Sequence, residues 1–223
     1  MDALCATALA CKLRDLNFSG CGLLPASVPA LARLVRGGFL EYLHIFMNDP
    51  LLDEAGAVQL ADALAESRAM KRLELCDVHF WSNAAAFTAI IRALTGHPCL
   101  QTLQLSGNPI VAVHDQFAAG AALSALVGAN SPALDALVLT DTLFGDAGMG
   151  GLCYVLLRNT HLRELDVTNT GMSEEFVRAA SSCRRCAPTR RCASCILAEC
   201  MIASMRWRRR RRWLWRATTV ADR

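Results

Sequence analysis

Leu100-Gln101-Thr102-Leu103-Gln104-Leu105-Ser106-Gly107-Asn108 sets apolar residues at places one, four and six of a nine-residue template and an amide at place nine. Alternation at places three to seven is the period of a strand. It turns Leu103 and Leu105 to one side and Thr102, Gln104 and Ser106 to the other. The template returns at Leu13-Leu16-Phe18-Cys21, Leu40-Leu43-Ile45-Asn48, Met70-Leu73-Leu75-Val78, Leu134-Leu137-Leu139-Thr142 and Leu162-Leu165-Val167-Thr170. The starts at 13, 40, 70, 100, 134 and 162 are 27, 30, 30, 34 and 28 residues apart. One match would carry little. Six at near-even spacing are the self-similarity of a repeat architecture.

The stretches between templates have a different period. Val28, Leu31, Ala32 and Val35 fall on one helical face, as do Ala57, Leu60, Ala61 and Leu64. So do Phe87, Ile90, Ile91 and Leu94; Ala119, Ala122, Leu123 and Leu126; and Met149, Leu152, Cys153 and Leu156. Asp53-Glu54, Gly145-Asp146 and Ser173 followed by Glu174-Glu175 have the chemistry of helix starts. Gly96-His97-Pro98 and Asn130-Ser131-Pro132 stand where helices should end. One strand–helix unit cannot bury its apolar side alone, so the units must stack. Asn48 and Asn108 fall where the chain leaves a strand, placed to satisfy backbone groups of neighbouring turns. Val78 cannot bond in this way, and its turn is expected to be the least regular.

With repeats of about 28 residues and a helix in each, residues 3–180 resemble the ribonuclease-inhibitor-like leucine-rich repeats. That subfamily includes ribonuclease inhibitor, the Ran GTPase-activating protein and the sensor regions of NOD-like receptors. The resemblance implies an α/β fold: a right-handed, curved horseshoe of about six repeats, with parallel strands on the concave face and helices outside. It also implies a protein held on the strand face or the loop edge. Residues 1–12 read as the helix of an incomplete earlier repeat. The expected division is a repeat domain at 1–180 and a basic Cys/Arg-rich tail at 181–223 without regular structure.

Places three, five and seven of each template face away from the helices. Most are small and polar, but Tyr42 and Phe46 stand beside His44, and aromatic residues commonly anchor protein interfaces. The candidate surface is Tyr42, His44, Phe46, Arg72, Glu74, Gln104, Glu164 and Asp166. The competing reading buries Phe46 under a loop.

The net charge of +3 hides an asymmetry. Residues 1–180 hold 11 Lys and Arg against 18 Asp and Glu, a net −7. Residues 181–223 hold 12 Arg against two acids, a net +10. No signal sequence or long apolar run is visible, and six Cys are scattered singly through 1–180. A cytoplasmic protein is expected, with the nucleus as the alternative. Gly145, Gly148, Gly150 and Gly151 lack the Lys-Ser/Thr ending of a phosphate loop and read as repeat consensus. The five histidines have no metal or nucleophile spacing. Cys183-x-x-Cys186 and Cys192-x-x-Cys195 could share a zinc ion, but only five residues separate the pairs. The arginine run at 208–212 would bind polyanions weakly and without specificity.

These readings point to a scaffold or adaptor that binds another protein, with no catalysis of its own and no cofactor. The alternative is a regulator of a small GTPase, which the resemblance makes available without matching that family's functional residues one by one. A ubiquitin-ligase substrate receptor is disfavoured, because residues 1–12 leave no room for an adaptor-binding segment before the first repeat.

Overall fold

The computed structural model describes residues 1–80, 83–156, 158–181 and 206–208. Strands and helices alternate: α1 (Asp2–Ala10), β1 (Asp15–Asn17), a short 3-10 turn (Pro25–Ser27), α2 (Val28–Arg36), β2 (Tyr42–Phe46) and α3 (Glu54–Glu66). They continue as β3 (Arg72–Cys76), α4 (Ala84–Leu94), β4 (Thr102–Gln104), α5 (Val113–Gly128) and β5 (Ala136–Val138). The described chain closes with α6 (Gly145–Leu156), β6 (Glu164–Asp166), α7 (Glu174–Ser181) and β7 (Arg206–Arg208). Strands β1 to β6 form one open parallel sheet in chain order, and β7 adds to β6 antiparallel. Apart from Ser181 at the end of α7 and from β7, the tail expected at 181–223 lies outside the described residues, as do its paired cysteines.

The register is the one the template implies. Place four aligns Leu16, Leu43, Leu73, Leu103, Leu137 and Leu165 across six strands. From β2 to β5 the residues at places four and six have no exposure at all, and Leu165 and Val167 have almost none. The helices supply the facing layer with Val28, Leu31, Leu60, Leu64, Phe87, Ile90, Leu123, Leu126, Met149 and Leu152, all buried. Removing this apolar surface from water drives the stacking. Phe80, Phe87 and Phe144 run through the layer, with ring centroids 5.3 and 5.8 Å apart.

Hydrogen bonds link each unit to the next. Buried Asn48 accepts the Leu23 N–H at 2.8 Å and donates to the carbonyls of Phe18 and Phe46. Buried Asn108 accepts the Val78 N–H at 3.0 Å and donates to Leu75, Leu105 and Ser106. The Val78 turn is therefore served by the asparagine of the following unit.

Its irregularity is shared more widely than the sequence suggested. Place eight has a left-handed backbone in all six templates: Gly20, Met47, Asp77, Gly107, Asp141 and Asn169. Where place nine is not asparagine, place ten is left-handed as well: Gly22, His79, Leu143 and Gly171. Behind Asn48 and Asn108 it is not. The amide holds an open turn that the other units make by twisting a second residue.

A local bond recurs within the turn before several strands. Ser67 accepts the Met70 N–H, the His97 ring accepts the Cys99 and Leu100 N–H groups, and Asn159 accepts those of His161 and Leu162. The expected helix starts are present. Asp53 caps α3 through Gly56 N–H, and Ser173 accepts the Phe176 N–H at the start of α7.

Candidate protein-interaction face

The sheet surface turned away from the helices carries places three and five as two straight rows. Place three runs Asp15, Tyr42, Arg72, Thr102, Ala136, Glu164; place five runs Asn17, His44, Glu74, Gln104, Val138, Asp166. Tyr42, His44, Phe46, Arg72, Glu74 and Gln104 thus share one region on β2 to β4. Glu164 and Asp166 stand apart from them, beyond the small, apolar β5.

His44 lies between two carboxylates, 2.9 Å from Glu74 and 3.5 Å from Asp15. The Arg72 guanidinium sits over the Tyr42 ring, 5.9 Å from its centroid, a cation–π contact that holds both side chains. Tyr42, His44, Glu74 and Gln104 are half-buried, while Arg72 is exposed. Phe46 is 40% exposed and not covered by a loop. It lines an open cleft of about 450 Å³ with Asn17, His44, Glu74, Cys76, Asp77, Gln104 and Asp141.

Asp166 departs from the expectation of an accessible contact. It is 7% exposed, accepts the Thr168 N–H at 3.0 Å, and stands in register with Arg206 of β7. It belongs to the closed end of the sheet.

The left-handed turns bring in two acids that the alternation rule did not assign. Asp77 and Asp141 line the cleft on either side of Gly107, and burial, then the charge of Asp141, raises the Asp77 carboxyl above its ordinary range. A side chain on Gly107 would bring its Cβ within 2.6 Å of the Asp77 Cγ. The signal available was their common place eight. Cys76 also lines the cleft, but burial pushes its thiol up to about 12. It stays protonated near neutral pH and is a poor nucleophile.

At the strand entries, place two carries alternating charge. Glu41 lies between Arg14 at 3.3 Å and Lys71 at 2.8 Å, and Asp135 meets Arg163 at 3.3 Å. The Lys71 hydrogen bond holds the Glu41 carboxyl below its ordinary range and raises the Lys71 ammonium. Along the loop edge, Val111, Val113 and Phe117 are well exposed beside Leu143. Gln116, in the first turn of α5, ties this edge to its neighbour by donating to the carbonyls of Ile110 and Leu143. These apolar residues lie outside the template positions, so the strand pattern did not single them out.

A family description, leucine-rich repeat, matches residues 158–175. The chain carries a leucine-rich repeat. The matched stretch contains β6 and its exit, with Leu162, Leu165, Val167 and Thr170 in the template places. No curated protein matches the chain. Leucine-rich repeats generally act by binding other proteins. Among the described residues, no group of three or more His, Cys, Asp or Glu is placed to hold a metal ion, and no helix is long and apolar enough to cross a membrane.

Proposed function

We propose that this chain is a protein-binding scaffold or adaptor whose contact surface is the sheet face of β1 to β4, with no catalysis of its own. The observation that carries the reading is the exposed Phe46 at the mouth of a polar cleft, flanked by the Tyr42–Arg72 stack and the Asp15–His44–Glu74 cluster. An aromatic anchor ringed by paired polar groups is the composition of a binding hot spot. The neighbouring carboxylates favour a partner with a basic contact surface. In this reading the fold is a right-handed, curved solenoid of about six ribonuclease-inhibitor-like repeats, with the sheet on its concave side. Unit lengths of 27 to 34 residues and a helix after each strand support it. Cytoplasmic residence is part of the proposal. It is supported by Cys5 and Cys76, both free and buried as small apolar residues.

The test is affinity capture from cell extract with the full chain and with its Tyr42→Ala/Phe46→Ala variant as parallel baits. Partners kept by the wild type and lost by the variant are expected. An unchanged set would move the contact surface elsewhere. A small GTPase among the partners would call for a hydrolysis assay; stimulated hydrolysis would favour the regulatory alternative.

A further inference from the structure

An open sheet ends in strands whose outer backbone groups have no partner, and such edges invite pairing with any extended chain. At the β6 edge Arg206–Arg208 already lies in that position. Its antiparallel direction is unlike that of the other five strand pairs. It is therefore no continuation of the repeat but a separate segment added to the end of the array.

The register states what the edge selects. Arg206 stands opposite Asp166, Trp207 opposite Leu165 and Arg208 opposite Glu164. Opposite charges directly across an antiparallel pair are favourable, and like charges are not. A second copy of the chain offering its own β6 in the same geometry would set Glu164 against Asp166 twice over. The edge thus discourages self-pairing and suits an extended segment with a cation at every second residue. The same polarity runs through the whole chain, with −7 on residues 1–180 and +10 on 181–223.

We propose that the β6 edge is an acceptor for a basic extended segment, and that the chain fills it with its own Arg206–Arg208, keeping the β6 edge itself from other strands. This is a second surface, separate from the face of β1 to β4, and either reading can fail without the other.

The test is hydrogen exchange in the full chain, read by mass spectrometry on peptides covering 162–170, with β2 to β4 as internal reference. Arg206→Glu/Arg208→Glu is expected to speed exchange over 162–170 at least tenfold and leave β2 to β4 as they are. Glu164→Arg should open the edge alone, and the exchanged pair Glu164→Arg/Arg208→Glu should close it again. Glu164→Gln gives a milder opening and serves if a charge reversal disturbs the reference strands. Equal exchange in wild type and all variants would overturn the proposal, as would an exchanged pair that stays as open as its single parents.

Discussion

Asn108 has no exposure and makes four hydrogen bonds to backbone groups, two of them in the preceding unit. Alanine there would leave the Val78 N–H and the Leu75 carbonyl buried without their partner. Leaving buried polar groups unpaired costs about 1–3 kcal/mol each. Asn108→Ala should therefore lower unfolding stability by roughly 2–6 kcal/mol, read from denaturant midpoints. A loss under about 0.5 kcal/mol, the range of ordinary surface substitutions, would mean that water replaces the amide. His97 fixes its own turn with a titratable ring. Its Nδ1 accepts two N–H groups, so protonation must break both, and burial lowers its pKa below the ordinary 6.5. With the folded value depressed, the unfolded chain binds the proton more readily, so stability is complete above 6.5 and falls as pH drops toward the folded value. His97→Asn keeps the acceptor, as Asn159 does in a later unit. The difference in stability between wild type and this variant should shrink in the wild type's disfavour from pH 7.5 to 5.5, roughly the window around a histidine's ordinary value. A constant difference would show that folding leaves proton binding by His97 unchanged, so that its folded value is not depressed.

Between elements, α5 and α6 approach so closely that glycine is required. A Cβ on Gly120 would come within 2.6 Å of the Gly148 Cα, and one on Gly148 within 3.0 Å of the Gln116 carbonyl oxygen. Both obstacles are backbone and cannot rotate away. Gly150 lies in the same helix with nothing within 4 Å of the equivalent position. Alanine gains about 0.5–1 kcal/mol over glycine inside a helix, whereas overpacking costs about 1–3 kcal/mol. Gly150→Ala should therefore raise the melting temperature, while Gly120→Ala and Gly148→Ala should lower it. The same sign for all three would refute the close approach. In sequence Gly148 and Gly150 read only as repeat consensus and Gly120 was not singled out; the cause of the close approach lies in two elements and could not be seen in one. By contrast, the strand register and the inward leucines were legible, because both depend on a period that the chain itself prints. The candidate face was legible as far as alternation reaches. Tyr42, His44, Arg72 and Glu74 fell where expected, but Asp77 and Asp141 enter through left-handed turns that alternation does not describe. The burial of Asp166 depends on the end of the sheet rather than on its own template.

At the scale of the molecule, each unit packs on its neighbours and few contacts run further, so stability should be distributed along the chain rather than pooled. The first unit is thinly packed. Leu16 is only half-buried, where its counterparts from Leu43 to Leu137 have no exposure, and Leu4 and Leu13 are exposed beside it. The central units have a strand on either side, and Leu103 has no exposure. Truncating such a leucine costs about 2–5 kcal/mol, and in the middle of the array that loss must weaken the units on either side. Leu16→Ala removes less buried surface, from a unit with one neighbouring strand. It should speed hydrogen exchange over residues 13–24 and leave 100–150 as in the wild type. Leu103→Ala should lower the global transition and speed exchange from β2 through β5 together. If Leu16→Ala instead accelerates exchange evenly along the chain, the units unfold as one cooperative body and the nearest-neighbour description fails.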